Sequence, residues 1–525
     1  MRASHRDILL FIALFLVILL LHWPAREAGF VTDFTGLWAK MQGKGLSDAL
    51  ASFGFPSLMP LLNVMYLALY KLFGLSGIPW LCFFVTVYSL GLVYFAKSCS
   101  LLLTGAHSHW LVLATLLLII FSPYQVEAVI WKVGLGHLAG VSFFMVGLYY
   151  GLKSMLLDQK EHKLGLMSFA LAASLFCFEW ALVFPAILLL LGWYLKSSRL
   201  WKTLLLSVAI VSVYLILTRF FIGKVVGHYD LSLSQITDLP SLISTTIKYW
   251  LKHLGLVHYY TFQSKEAIYN SANLTIVRTL FVLLVAGAMY LAVFLKKPSL
   301  RLTVTIFLCA LTGLLLVAPW YFSFTLLSEN DRYGSLFVPF FSFFLVLLLS
   351  HLNRYIVILL FSVFLVANIF FQQKMIQQWK NSSALITALT DSFPTTTDGP
   401  VLLVNVPDNY NGTFMFRDYA GGNPFEDHLE MYGLHSLELD FVVQYNIPSE
   451  LQAASASWKV QNKVLTLTNK EWGSWWWSKG LGASSYQTDR YAVKLESKKL
   501  ELTLKDNSYY KHILFCDGER WQELP

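Results

Sequence analysis

Four charged residues stand close to long apolar runs, where a charge is costly and commonly serves a function. They are Asp33 in GFVTDFTGLW, Glu127 in SPYQVEAVIWK, Glu179 in LFCFEWALVFP and Arg332 in ENDRYGSLFVP. A carboxylate can take a proton from an attacking hydroxyl as a general base. A guanidinium can hold two oxygens of a phosphate at once. These residue types would therefore suit attack of a hydroxyl on a donor that carries a phosphate.

Three further cations, Lys132, His137 and Lys224, are weaker candidates for holding a phosphate, because Lys and His near a membrane interface commonly snorkel or cap a helix. The four principal residues also have structural interpretations. Asp33 could cap a helix, Glu127 could pair with Lys132, Glu179 could mark the aqueous end of a hairpin, and Arg332 could pair with Glu329 or Asp331. The sequence leaves both kinds of interpretation open.

The elements that position these residues are membrane helices. Hydrophobic residues make up 56% of the chain and charged residues only 13%, with a mean hydropathy of +0.57, whereas soluble proteins carry about 25% charged residues. A soluble globular protein is therefore excluded. Apolar runs lie near residues 8–23, 58–73, 78–103, 109–122, 136–152, 164–178, 180–195, 203–222, 276–295, 302–318, 335–350 and 354–371. A spanning helix needs about 20 residues, so twelve is an upper count.

The basic loops indicate the orientation. The loops 153–163, 196–202, 296–301 and 351–354 are each separated by two runs, and their Lys and Arg residues place them in the cytoplasm. The last run, 354–371, then crosses from the cytoplasm to the outer side, so the residues after it are extracytoplasmic. The basic N-terminus also belongs inside, which requires one run between 58 and 122 not to cross, and the short stretch 110–122 is the first candidate. We predict about 11 spanning helices, with Asp33, Glu127, Glu179 and Arg332 on the outer side.

The predicted fold class is thus an all-α polytopic membrane domain over 1–371, a linker over 372–399 and a small β-rich extracytoplasmic domain over 400–525. The last assignment rests on short β-branched or alternating runs such as VLLVNV, KVLTLT and HILFCD. The stretch Thr245–Tyr259 predicts an amphipathic helix at the membrane interface. The Trp472–Trp477 stretch could be a sugar platform, an interface belt or core.

The charge distribution and the spacing of possible metal ligands argue against a nucleic-acid-binding protein and a metal-dependent enzyme. Residues 1–371 hold 25 Lys and Arg against 13 Asp and Glu, and residues 372–525 hold 14 against 18. The basic excess lies in the loops of a membrane protein, so it reports orientation and requires no nucleic acid. Carboxylates and His residues do not cluster at metal-ligand spacing. We predict no metal and no cofactor.

The order of these segments resembles a known family. Asp33 after the first helix, PYQVEAVIW, the Glu179 turn, KYWLKHLGLVHYY and DRYGSLFVP resemble the C-type glycosyltransferases, and most closely their protein O-mannosyltransferase branch. The resemblance covers about residues 8–371. The chain has a single Asp at 33 where many members carry an acidic pair, and its tail is not a repeat array.

The resemblance implies an enzyme of the cell membrane, in the bacterial inner membrane, with its C-terminal domain outside. It would take a sugar from a polyprenyl-phosphate donor in the bilayer and pass it to a protein or an envelope glycan. Asp33 would be the catalytic base, with Glu127 and Glu179 assisting. A transporter or lipid-linked-glycan flippase is the main alternative, and it would favour acids within spans or helices broken by Gly or Pro. A membrane scaffold that presents the tail is a third interpretation.

Overall fold

The structure of the 525-residue chain is a computed structural model. It describes residues 5–524 apart from 51–57, 104–107, 157–161, 224–237, 254–266, 269, 318–330, 395–398, 418–423, 435–437, 448–455, 462–463, 470–474, 477–484, 497–498 and 507–508. The chain forms two compact units. The membrane unit comprises Met1–Arg26 and Lys44–Met375, and the C-terminal unit comprises Glu27–Gly43 and Ile376–Pro525.

All twelve apolar runs form helices, as their length and composition predict. The helices are α1 (His5–His22), α2 (Asp33–Met41), α3 (Leu46–Leu50), α4 (Pro60–Phe73), α5 (Gly77–Leu102), α6 (Ser108–Ile120), α7 (Val126–Ile130), α8 (Leu135–Leu156), α9 (His162–Cys177), α10 (Phe184–Leu195), α11 (Leu200–Ile222), α12 (Leu239–Leu251), α13 (Thr275–Phe294), α14 (Pro298–Leu315), α15 (Phe337–Leu349), α16 (Arg354–Asp391) and α17 (Pro424–Met431). The residues 372–391, predicted as part of a linker, are helical because α16 continues to Asp391.

Among the described residues, seven helices are long and apolar enough to cross a membrane, and an eighth span is counted if the bent pair α6 and Pro123–Ile130 is one span. Four shorter apolar helices accompany them. The chain is therefore a multi-pass membrane protein with the predicted fold class. The exact number of eleven crossings stays a prediction.

The bent pair includes the stretch 110–122, which the loop charges make the first candidate for a run that does not cross the membrane. Helix α6 ends at Ile120, a 3₁₀ turn covers Pro123–Gln125, and α7 follows with its axis turned by 60°. Proline has no backbone N–H and cannot continue a helix without a break. The break places Glu127 in the first turn of the short helix α7, directly after the bend.

Helix α8 packs against α5 and α9 at the centre of the membrane unit. Small residues allow the close approach: a Cβ on Gly91 of α5 would lie 2.6 Å from Ser142 Oγ of α8. Such contacts let apolar helices pack where lipid offers no hydrophobic driving force between them. Ser174 of α9 donates a hydrogen bond to the carbonyl of Gly140 at 2.6 Å. This packing holds α5, α8 and α9 together.

The C-terminal unit contains two sheets, as the predicted strands required. The strands are β1 (Val401–Tyr410), β2 (Thr413–Phe414), β3 (Leu439–Ile447), β4 (Ala456–Gln461), β5 (Val464–Asn469), β6 (Trp475–Trp476), β7 (Ser485–Gln487), β8 (Tyr491–Glu496), β9 (Lys499–Leu504), β10 (His512–Cys516) and β11 (Trp521–Glu523). One sheet has the order β11-β10-β1-β3-β6 with β2 paired to β1, and β1 is parallel to both β3 and β10. The other sheet is antiparallel with the order β4-β5-β9-β8-β7. Residues of both sheets, including Leu402, Val442, Leu500 and Leu502, share one apolar core.

Candidate active site

The turn Asp331–Gly334 packs against the broken element Pro123–Ile130. Arg332 donates its backbone N–H to Glu127 Oε2 at 3.0 Å, and its Nη1 donates to Glu127 Oε1. The exposed fractions of the two side chains are only 3% for Glu127 and 7% for Arg332. The two predicted residues, 205 positions apart, thus form a buried ion pair. The structure describes an ion pair of Arg332 with Glu127, and Glu329 lies outside the described residues.

A second buried ion pair lies beside the first. Lys252 Nζ is 3.2 Å from Asp331 Oδ1, and both side chains are fully buried. Glu127 also interacts electrostatically with Asp331 and Lys252 as well as with Arg332. We call Glu127, Lys252, Asp331 and Arg332 the charge cluster. Charges removed from water are tolerated only when they are paired, so the two acids and two cations depend on one another.

The helix that supplies Lys252 differs from its prediction. Helix α12 forms, but Ser244–Tyr249 are buried and the chain reaches Lys252 and His253 with both side chains inside the protein. The expectation of a helix whose basic residues face lipid headgroups is therefore wrong for the described part, because Lys252 finds a carboxylate partner within the protein. Residues 254–259 lie outside the described residues.

Two aromatic rings lie close to the Arg332 guanidinium. Its central carbon lies 4.5 Å from the ring centroid of Trp131 and 4.8 Å from that of Tyr333. A cation over an aromatic face is stabilised by the ring quadrupole, and more so when water is excluded. The ring of His137, a predicted binding residue, lies 5.6 Å from the Tyr333 ring and 4.1 Å from the Phe178 ring. His137 thus belongs to the packing around the charge cluster.

His253 fills the space next to Lys252. Its Nδ1 lies 2.7 Å from the carbonyl oxygen of Tyr249, and its ring is 4.9 Å from that of Tyr124, whose hydroxyl donates to the carbonyl of Lys252. Burial lowers the pKa of His253 to about 4, helped by the positive charge of Lys252. The imidazole is therefore neutral at pH 7 and adds no charge to the cluster.

Glycine at position 334 makes room for His253. A Cβ on Gly334 would lie 2.3 Å from His253 Cδ2, which is far inside van der Waals contact. The turn that carries Asp331 and Arg332 can therefore approach α12 only because residue 334 has no side chain.

The two remaining predicted cations are Lys132 and Lys224. Lys132 is fully buried, and its Nζ donates to the carbonyl of Ile130 at 3.2 Å. The sequence leaves open a pairing of Lys132 with Glu127, and the ion pair that the structure describes for Glu127 is with Arg332. Lys224 lies outside the described residues. Both remain predictions as phosphate ligands.

Glu179 opens a 3₁₀ turn, Glu179–Val183, between α9 and α10. Its side chain is fully buried, and Tyr214 of α11 donates its hydroxyl to Glu179 Oε1 at 3.4 Å. The position is therefore not an aqueous hairpin end. Its neighbours Phe178 and Trp180 both pack against His137. The assisting role of Glu179 stays a prediction.

Asp33 belongs to the C-terminal unit and is the first residue of α2. Its side chain is exposed, and a carboxylate in the first turn interacts favourably with the helix dipole. The residue before it, Thr32, has φ 52° and ψ −122°, a conformation that non-glycine residues rarely adopt. Its catalytic role likewise stays a prediction.

Sequence reasoning missed Lys252, His253 and Tyr124. The signal for Lys252 was present in TTIKYWLKHLG, where a second Lys follows the first at a spacing of four. Four residues make about one helical turn, so Lys248 and Lys252 share one helix face. Helix periodicity alone favours lipid headgroups as the partner of that face, whereas the packing of α12 brings Lys252 against Asp331.

Comparisons with known proteins add little. No family model matches the chain, and no curated protein matches it. Among solved structures, ArnT from Cupriavidus metallidurans bound to undecaprenyl phosphate is 12% identical, with a TM-score of 0.43 over 77% of this chain and 83% of that chain. The apo form is 12% identical, with a TM-score of 0.36 over 83% and 86%.

The resemblance to the protein O-mannosyltransferase branch stays a prediction. At these similarities the two structures carry no conclusion about this chain, and the reaction is inferred from the residues of the site.

Proposed function

We propose that the protein transfers a sugar from a polyprenyl-phosphate donor to a hydroxyl acceptor at the extracytoplasmic face of the membrane. The observation that carries the proposal is the buried Glu127–Arg332 pair beside the buried Lys252–Asp331 pair. Each cation is already paired with a carboxylate, as burial requires, and a lipid phosphate is an anion that could exchange with Glu127 on Arg332. The acceptor would be a protein or an envelope glycan.

In the proposed transfer, the acceptor, the donor and the protein residues each have one role. The acceptor hydroxyl attacks the anomeric carbon, the new C–O bond forms, and the bond from that carbon to the phosphate oxygen breaks. The electron pair leaves with the lipid phosphate, and the hydroxyl proton goes to Asp33. General-base assistance of this kind contributes about 10² to 10⁴-fold in rate, and cations placed at the leaving oxygen stabilise the charge that develops there.

Arg332 is the proposed phosphate ligand, with Lys252 as its neighbouring charge. In the described structure Glu127 occupies the backbone N–H and Nη1 of Arg332. A phosphate that approaches Arg332 therefore competes with the Glu127 carboxylate. The two carboxylates already balance the two cations, with Asp331 next to Lys252, so a phosphate would bind by replacing the Glu127 carboxylate on Arg332. Glu127 would assist by holding Arg332 in place before the donor binds.

In this proposal the protein lies in a bacterial inner membrane, and its C-terminal domain is on the extracytoplasmic side. The support is the charge bias of the loops, with the basic residues of 153–163, 196–202, 296–301 and 351–354 assigned to the cytoplasm. In intact cells, a cysteine introduced at exposed Tyr432 should react with a non-permeant thiol reagent, and one introduced at exposed Leu352 should not. The reverse labelling pattern would refute this orientation.

A flippase is the second candidate, because one observation favours it. Glu127 lies directly after a proline break between α6 and α7, and broken helices with an acid at membrane depth are typical of transporters. The two functions differ in what happens to the donor. A transferase breaks the bond between sugar and phosphate, whereas a flippase moves the intact lipid.

The test uses the purified full chain in vesicles that contain undecaprenyl-phosphate-linked sugars, with the sugar radiolabelled. Transfer predicts release of undecaprenyl phosphate and label in a protein or glycan acceptor from the same envelope. Flipping predicts intact donor that becomes accessible on the other leaflet. Recovery of intact donor alone, across the common hexose and pentose donors, would contradict the proposed function.

A further inference from the structure

The segment that carries Asp33 is held by the C-terminal unit. The chain leaves the membrane unit after Arg26 and returns to it at Lys44. Between these points α2 packs against α17, the helix Pro424–Met431. One compact unit thus joins residues near the N-terminus with a domain at the other end of the sequence.

Helix α2 presents one apolar face. Phe34, Leu37 and Met41 are buried, with exposed fractions of 0%, 3% and 1%, and the spacing i, i+3, i+7 puts them on the same side. Asp33 and Lys40, in contrast, are exposed. The helix is therefore bound through its apolar side and leaves the Asp33 carboxylate accessible.

The partner helix α17 is itself firmly attached to the C-terminal domain. The ring of Phe425 lies 5.0 Å from Phe416, 5.2 Å from Trp521 and 5.3 Å from Phe393. His428, also on α17, has its Nε2 3.2 Å from Thr390 Oγ1 of α16. The surface against which α2 packs is thus fixed by the domain core.

The turn before α2 is strained and locally braced. Thr32 has φ 52°, and its carbonyl accepts a hydrogen bond from Thr35 Oγ1 at 2.8 Å. The rings of Phe30 and Phe34, on either side of the turn, lie 5.0 Å apart edge to face. A strained residue persists only where its surroundings hold it, and this one directly precedes Asp33.

We infer that the C-terminal domain is a positioning element of the transfer reaction: it holds α2 so that the Asp33 carboxylate keeps one orientation. The inference rests on the proposed function for its catalytic meaning. Leu37 and Met41 are then positioning residues, because they act on the reaction only through the placement of Asp33. The domain would contribute to the rate without touching the donor.

The test combines hydrogen exchange with kinetics on the purified full chain. In Leu37→Ala, amide exchange in residues 30–41 should accelerate, and kcat should fall by about 10- to 100-fold, since a misplacement of about 1 Å can cost about 10²-fold. The KM for undecaprenyl-phosphate-linked sugar should stay close to that of the wild type. Leu37→Met should restore kcat, and Leu46→Ala, at an exposed position after the same segment, should change neither readout.

Two results would overturn the inference. One is unchanged exchange in residues 30–41 of Leu37→Ala, which would show that α2 does not depend on this packing. The other is faster exchange with an unchanged kcat, which would show that the orientation of Asp33 does not limit transfer. If the wild type transferred no sugar, the proposed function and the positioning role would fall together, while the exchange result would still decide whether α2 depends on this packing.

Discussion

Arg332 donates to both carboxylate oxygens of Glu127, one through its backbone N–H at 3.0 Å and one through its guanidinium. The backbone contribution means that Glu127 fixes the turn as well as the side chain of Arg332. The second pair, Lys252–Asp331, attaches the same turn to α12. Two residues adjacent in sequence, Asp331 and Arg332, therefore connect the broken element after α6 with the end of α12.

Replacing Arg332 tests the phosphate ligand. Arg332→Lys keeps the charge but loses the planar fork that can hold two oxygens, so the donor KM should rise, and Arg332→Ala should raise it further. Donor KM is measured on purified, correctly folded variants. Arg354→Ala, at an exposed position, serves as the matched control. If Arg332 only pairs with Glu127, the variants would lose stability and yield, and the surviving protein would show an unchanged KM.

Replacing Asp33 tests the base. Asp33→Asn retains the shape but cannot accept the proton, so transfer should fall by about two to four orders of magnitude at an unchanged protein level. Asp48→Asn is the control, because Asp48 lies in the same segment between α1 and α4 and its carboxylate accepts a local hydrogen bond from the Gly45 N–H. A wild-type rate for Asp33→Asn would remove Asp33 from the mechanism.

Gly334→Ala tests the packing of the turn on α12. The added Cβ would stand 2.3 Å from His253 Cδ2, and overpacking of this kind costs about 1–3 kcal/mol. The thermal unfolding temperature in detergent should therefore fall, and the donor KM should rise as the Arg332 turn shifts. Gly165→Ala, in helix α9 with no atom within 4 Å of the new Cβ, should be neutral or slightly stabilising. Equal unfolding temperatures for the two variants would contradict the packing argument.

His428 predicts acid sensitivity of the C-terminal unit. Burial lowers its pKa to about 4 in the folded state, whereas the unfolded chain has the ordinary value of about 6.5. Between these values the unfolded state binds more protons, so stability present above about pH 6.5 is lost as the pH falls towards 4. The loss reaches about 3 kcal/mol.

The measurement is hydrogen exchange of the C-terminal unit in the full chain at pH 7 and pH 4.5, after correction for the intrinsic pH dependence of exchange. His428→Gln carries no titrating ring and should show a smaller loss of protection at pH 4.5. His109→Gln, which changes an exposed imidazole, should behave as the wild type. If the wild type and His428→Gln lost protection equally, another group would be responsible.

Local patterns predicted most of the elements. All twelve apolar runs became helices, and the runs VLLVNV, KVLTLT and HILFCD became β1, β5 and β10. The bend between Ile120 and Pro123 lies at the end of the stretch 110–122, and the prediction that this stretch does not cross the membrane stays a prediction. These features depend on residues close in sequence, through helix and strand periodicity and the missing N–H of proline.

The sequence by itself also identified Glu127 and Arg332 as candidates, because a charge beside an apolar run is costly wherever the chain folds. It could not identify their partnership. The pair spans 205 positions, and neither residue has a local pattern that names the other. The nearer partners, Lys132 and Asp331, were equally reasonable on charge alone.

Tertiary structure alone decided two further matters: that Lys252 is buried against Asp331, and that the Asp33 segment belongs to the C-terminal unit. Amphipathic spacing shows that a helix has two faces, but it does not show whether protein or lipid headgroups cover the polar one. Likewise, the buried face of α2 indicates that a partner exists without identifying it. The free energy of a buried charge or an apolar face depends on what surrounds it, and the chain supplies those surroundings from distant segments.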